Sequence, residues 1–468
     1  MLLRTLLFTL LTLSTLPPFG IAHAEVTPHL LFTDNAVIQR GAVNPVWGVA
    51  EDGEEVTVRF AGQERKTVAK NGRWQVSLDP VEAGGPYELT INGDNAITLK
   101  NILVGEVWFC GGQSNMQFEL KEAAGGPEAV AGSANPNLRC FTVLRWGANE
   151  QERSLQNKWL VASPDTAGSF SAVGYFFGKD LQSNLNVPVG LINSNYGGTN
   201  AEAWMNRDSL AAEPEISARF QTWLKANNNF GGDAGGLFDG MVKSLAPYAL
   251  RGVIWYQGEN NASRAGDYER VLSLLIRDWR AAWRQGDFPF LIVQLAPFGN
   301  GENKWADIRA AQIAVAQTTP NTATVVTTDV GDKVDIHPKN KRPIGQRLSL
   351  AARAVAYGHD VEYRGPELVS AEFKDGEATL TFRRVGDGLK SKGDAPRGFV
   401  IAGVDGKFVD ADAEITDTNT IVVSSAEVPS PVALRFAWQD FNEADLWSSF
   451  DLPAAPFRTE SLVVKPTE

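Results

Sequence analysis

From about residue 101 to residue 361, short apolar runs alternate with stretches in which apolar residues recur every three or four positions. The runs predict strands at Ile102–Phe109, Arg139–Leu144, Pro188–Asn193, Gly252–Tyr256, Phe290–Leu295 and Ala323–Thr328. Between them, Ala172–Leu185 places Val173, Phe176, Phe177, Leu181 and Leu185 at helical spacing. Tyr268–Trp283, Ile308–Gln317 and Ile344–Tyr357 predict three further helices. Near-continuously apolar strands separated by helices imply an α/β fold, a parallel sheet covered on both faces. Right-handed crossovers then bring the strand ends to one edge.

The flanks have a different texture. Glu55–Phe60, Arg73–Leu78 and Tyr87–Ile91 alternate with period two, punctuated by Asn71-Gly72, Gly84-Gly85-Pro86 and Asn92-Gly93. This predicts a small β-sandwich. After about residue 362, Ala378–Phe382 and Val432–Trp438 return to strand texture. At the other end, Arg4, the apolar core Leu6–Leu16 and Ala22-His23-Ala24 read as a secretory leader with its cleavage site. The expected order is a leader (1–24), a β-sandwich domain (25–100), an α/β domain (101–361) and a C-terminal β-rich domain (362–468). The leader core is too short to span a membrane and no later run is long enough. The expectation is an exported protein, periplasmic or secreted, without membrane insertion.

Composition narrows the function classes. A formal net charge of −12 with no Lys/Arg block argues against a nucleic-acid partner or an anionic membrane surface. No Cys-x-x-Cys and no His-Glu-x-x-His occurs, so neither metal nor cofactor is expected. The two cysteines, Cys110 and Cys140, are compatible with one disulfide in an oxidising compartment or with two buried thiols.

The chemistry centres on Ser114. It follows the first apolar run in Gly111-Gly112-Gln113-Ser114-Asn115-Met116, a serine lifted out of a strand end by glycines. Such a serine needs a base. Of four histidines, His23 lies in the leader, His29 near the mature N-terminus and His359 after a helix. His337, in the polar loop Asp335–Lys341 between a strand and a helix, is the base candidate. Oxyanion donors are sought at the other strand ends. Gly197-Gly198-Thr199 follows one, and Gln257 and Asn260 follow another. Trp204, close to that glycine turn, reads either as a stacking surface for a ligand or as a core tryptophan on a crossover helix. The segment Asn227–Gly236 reads as a loop over the site or as a plain linker.

Gly112-Gln113-Ser114-Asn115-Met116, Gly197-Gly198-Thr199 with Glu202-Ala203-Trp204, Trp255-Tyr256-Gln257-Gly258-Glu259, and Asp335-Ile336-His337-Pro338 occur in that order. Together they resemble the sialate O-acetylesterase-like carbohydrate esterases of the SGNH/GDSL hydrolase superfamily. The resemblance implies a flavodoxin-like parallel sheet and removal of acetyl groups from sugar hydroxyls. It implies that Ser114 is the nucleophile, His337 the base and Asp335 the acid. Asp335 stands two residues before the histidine, whereas superfamily members commonly place the acid three before, where Val334 stands here. Asp329, Asp332 and Glu259 remain alternatives as orienter. The oxyanion donors implied are the N–H groups of Ser114 and Gly198 and the amide of Gln257. Gln113, Asn115, Glu202, Trp204 and Glu259 are the expected substrate contacts, and an O-acetylated carbohydrate is the expected partner. Acetylated xylan or xyloglucan is the rival substrate to sialic acid. A non-catalytic glycan-binding protein is the rival of another class.

Overall fold

The computed structural model describes residues 25–144, 156–299 and 304–461. The expected leader lies outside the described residues. The centre is a mixed sheet in which seven strands form the path that carries the site. In chain order these are β1 (Ala96–Gly112), β2 (Asn135–Thr142), β3 (Trp159–Ala162), β4 (Val189–Asn195), β5 (Gly252–Tyr256), β6 (Phe290–Val293) and β7 (Thr322–Val325). Their spatial order is β3-β2-β4-β1-β5-β6-β7. All neighbours are parallel except the edge pair β3 and β2. The six expected strands are present, and the short edge strand β3 is additional.

Strand β1 is longer than its apolar run. It spans 17 residues, and the expected division near residue 100 falls inside it. Its first half pairs antiparallel with Gly84–Asn92, and Leu103–Gly105 pairs parallel with Val37–Gln39. Its second half is buried on both sides between β4 and β5. The strand thus carries the N-terminal β region directly into the central sheet.

Alternation along β1 sorts its side chains to two cores. Val107 and Phe109 join one with Trp255, Trp279 and Ile308. Trp108 and Cys110 join the other with Phe177, Leu181 and Leu348. Helices α1 (Ala172–Leu185) and α4 (Arg342–Tyr357) therefore cover one face, and α2 (Ala265–Trp283) and α3 (Trp305–Thr318) the other. Both cysteines are buried free thiols. The register explains why: β4 lies between their strands, with Asn193 opposite Cys110 and Leu191 opposite Cys140. Two strand spacings, about 9–10 Å, exceed the reach of a disulfide.

At the C-terminal end, two four-stranded sheets enclose a separate core of Leu380, Phe382, Phe399, Ile401, Ile421, Val423 and Phe436. This part buttresses the late loops of the central sheet. Asp440 accepts the N–H of both Phe298, at its carbonyl, and Trp305, at its carboxylate, each at 3.0 Å. Among the described residues no helix is long and apolar enough to cross a membrane.

Candidate active site

The strand order reverses at β1: its neighbours are β4 on one side and β5 on the other. A doubly wound sheet opens its crevice at such a point, beyond the carboxyl ends of the strands. The register places Gly112 level with Asn195 of β4 and Tyr256 of β5, so the three strands release their loops at one height. Gly112 has φ +139°, and a Cβ there would stand 2.1 Å from the Tyr256 carbonyl oxygen. Only glycine permits this approach. The chain then turns into the short helix Ser114–Gln117, which presents Ser114 at its first position.

His337 arrives from the loop after β7. Its Nε2 lies 2.8 Å from Ser114 Oγ, hydrogen-bonding distance for proton transfer. The loop is shaped by Asp332, whose Oδ1 accepts the N–H groups of Val334 and Asp335 at 2.9 and 3.0 Å. Asp335 in turn accepts the backbone N–H of His337 at 2.8 Å, and its Oδ1 stands 3.7 Å from the ring Nδ1. Asp329 is engaged elsewhere, in a two-pronged pair with Arg347 at 2.7 and 2.8 Å. Among the described residues, Asp335 is therefore the carboxylate that stands within 4 Å of the imidazole, at a separation too long for a hydrogen bond. Burial pulls the His337 pKa below its ordinary 6.5, Lys341 adds to this, and Asp335 opposes it. These influences together favour the neutral ring. His29 is elsewhere, stacked on Trp47 at 4.7 Å, and the His359 N–H caps Arg353 at the end of α4.

The turn after β4 lies against the serine. A Cβ on Gly197 would be 3.4 Å from Ser114 Cβ. The Gly197 N–H is bound by Gln117 Oε1 at 2.8 Å. Among the described residues, the N–H groups of Ser114 and Gly198 donate to no acceptor. Gly198 adopts φ +72°, the left-handed conformation that turns its N–H without a Cβ penalty. Two unspent N–H groups close to a serine hydroxyl are the kind of donors that a developing oxyanion requires.

Gln257 does not join them. It is fully buried, and its amide nitrogen donates to the Thr199 carbonyl at 3.1 Å and to Asn261 Oδ1 at 2.8 Å. Both of its N–H bonds are spent on holding the turn. The expected substrate contacts are likewise internal. Trp204 has 0% exposure, donates its indole N–H to Thr199 Oγ1 at 2.9 Å and meets Trp255 edge-on at 5.9 Å. It is a core tryptophan, because the turn after β4 drives that segment back under the sheet end. Buried Glu202 accepts from Arg264 at 3.1 Å and Asn261 at 2.9 Å. Buried Gln113 faces the N–H groups of Gly258 and Asn260. Asn115 and Glu259, also buried, bind each other at 2.5 Å. These side chains hold the loops; they do not line an open surface.

One side chain that does face outward is Phe230, in the loop Asn227–Gly236. It is 59% exposed, and a Cβ on Gly198 would stand 2.6 Å from its Cζ. The loop is tied down by Asn200, whose N–H donates to the Gly231 carbonyl at 3.0 Å. Asn260 completes the brace, donating to the Gly198 carbonyl at 2.9 Å and to Asn200 at 3.0 Å. Among the described residues no group of three or more His, Cys, Asp or Glu could hold a metal ion.

Comparison with known proteins identifies the family. Residues 104–354, more than half of the chain, match the family model described as carbohydrate esterase, sialic acid-specific acetylesterase. Human sialate O-acetylesterase is 30% identical, with 89% of this chain and 88% of that protein covered. The rat sialate O-acetylesterase is 32% identical over 70% of this chain and 72% of its own. A carbohydrate acetylesterase from Xanthomonas citri superposes with a TM-score of 0.84 at 39% identity, covering 93% of this chain and all of the other. The chain belongs to the sialic acid-specific acetylesterase family of carbohydrate esterases and is an acetylesterase.

Proposed function

We propose that this enzyme removes acetyl groups from sugar hydroxyls through an acyl-enzyme on Ser114, as an SGNH-type serine hydrolase. The observation that carries this is the 2.8 Å contact between His337 Nε2 and Ser114 Oγ beside the Gly197-Gly198 turn. The strand order β4-β1-β5-β6-β7, with Ser114 at the end of the first strand, supports the flavodoxin-like assignment. Ser114 Oγ attacks the acetyl carbonyl and its proton passes to His337 Nε2. The oxyanion sits against the N–H groups of Ser114 and Gly198. His337 then protonates the sugar oxygen as the ester C–O bond breaks. Water, deprotonated by the same imidazole, releases acetate and restores Ser114. Asp335 stabilises the imidazolium that forms in each half-reaction.

The sugar stacks on the Phe230 ring, an exposed aromatic side chain whose tip lies against Gly198. Export through the leader at residues 1–24 and division into β, α/β and β-rich domains complete the proposal. Acetate release from O-acetylated sialosides, acetylated xylan and acetylated xyloglucan fragments tests the substrate. Turnover of sialosides alone supports a sialate esterase, turnover of the glucan or xylan assigns the enzyme to hemicellulose, and none on any of the three sinks the carbohydrate reading.

A further inference from the structure

Beneath Ser114 and His337 lies a buried ionic arrangement that the acyl-transfer scheme does not use. Lys341, the residue before α4, has 0% exposure. Its Nζ donates to Asn115 Oδ1 and faces the rings of Phe118 and Tyr256 at 5.0 and 5.4 Å. From the other side, Asn115 Nδ2 donates to Glu259 Oε1 at 2.5 Å and to the Ile336 carbonyl at 3.0 Å. Asn115 follows the serine directly, and Ile336 directly precedes the histidine. One amide therefore joins the two halves of the reacting pair, which come from loops 223 residues apart.

We propose that Lys341 is a positioning residue: with Glu259 it locks the Asn115 amide in the one orientation that ties the Ser114 turn to the His337 loop. An isolated asparagine amide turns over at little cost, since its two ends are nearly equal in size. Here a cation faces the oxygen and a carboxylate faces the nitrogen. Turning the amide over would set NH2 against ammonium and oxygen against carboxylate, losing two charge-assisted hydrogen bonds at once. Only in the observed orientation does the second N–H reach Ile336. A buried ammonium is otherwise a costly group, so its place at this junction calls for a role.

The same charge acts on the base. The titratable and charged groups around Lys341 are Glu259, Asp335 and His337, with the Tyr256 ring above it. Burial pulls Lys341 down to about 7, and Glu259 and Asp335 oppose this. Glu259 is raised by burial, opposed by Asn115 and Lys341. Where Lys341 is protonated, it disfavours a second proton on His337.

The inference rests on Ser114 and His337 being the reacting pair, so the test includes Ser114→Ala. In full-length enzyme with p-nitrophenyl acetate, Lys341→Met is expected to lower kcat about 10- to 100-fold through misplacement of the pair. KM should hold, and the acid limb of the pH profile should move to higher pH. Lys341→Arg, which keeps the charge, should leave the limb near its wild-type position. A lysine that serves folding alone would lower the melting temperature and leave the limb in place, and that result overturns the proposal. If Lys341→Met does not fold, the nearly isosteric Glu259→Gln decides: kcat lower by about tenfold with KM held supports the lock, and unchanged kcat refutes it. Activity retained in Ser114→Ala would instead refute the reacting pair itself.

Discussion

His337 Nδ1 stands 3.7 Å from Asp335 Oδ1, while the same carboxylate oxygen accepts the histidine's own backbone N–H at 2.8 Å. Asp335 thus holds the loop by a hydrogen bond and faces the ring at a distance where its charge acts once the ring is protonated. Both side chains are partly open to solvent, which screens that charge. Asp335→Asn should accordingly cost about 10- to 100-fold in kcat/KM, less than the roughly ten-thousandfold loss seen where a buried acid fixes the tautomer. Parallel kinetics of Asp335→Asn and His337→Ala check this. Equal losses would mean that the carboxylate closes onto Nδ1 during turnover.

The pH dependence follows from the His337 shift. In the proposed mechanism the neutral ring is the base, and burial, aided by Lys341, lowers its pKa from 6.5. Activity should therefore rise with pH through a midpoint below 6.5 and be developed at neutrality. A kcat/KM profile on an aryl acetate reads the midpoint. A midpoint above 6.5 would mean that Asp335 outweighs desolvation.

Two aromatic side chains should separate cleanly. Phe230→Ala removes the exposed platform and should raise KM for an acetylated sugar about tenfold, equivalent to about 1.4 kcal/mol, with the fold intact. Trp204→Ala opens a cavity in a fully buried site and should cost about 3–5 kcal/mol of stability. Denaturant unfolding and Michaelis kinetics on both variants distinguish the roles. A KM effect confined to Trp204 would reverse them.

Gly198→Ala should be severe. The residue has φ +72°, and the new methyl would meet Phe230 at 2.6 Å. Turning the Gly198 N–H away from the oxyanion should reduce kcat by about a hundredfold or more. Wild-type turnover in this variant would remove Gly198 from the oxyanion site.

Because β4 separates Cys110 from Cys140, the melting temperature should be indifferent to reductant. A reductant-dependent drop would reveal a disulfide.

Much of the scaffold was legible in the sequence, because buried parallel strands and amphipathic helices leave distinct periods. Strand β5 and helix α1 run between the residues their patterns indicated. The meeting of Ser114 with His337 was legible for chemical reasons: a serine after a glycine pair at a strand exit, and a scarcity of histidines. What sequence order could not show was the direction of side chains in the loops. Trp204 and Gln257 sit beside the reactive turn yet point inward, because Thr199 meets both, at 58 residues' separation for Gln257. Phe230 is a single aromatic among asparagines and glycines, with no periodic pattern to mark it. Lys341 reads as one more cation in a polar loop, and its burial depends on Asn115, 226 positions earlier.

The central claim is that Ser114 is the nucleophile, and Ser114→Ala tests it most directly. Acetate release from p-nitrophenyl acetate and from an O-acetylated sugar should fall by about a thousandfold or more, with an unchanged far-ultraviolet spectrum and melting transition. Turnover near the wild-type rate in the folded variant would contradict the account.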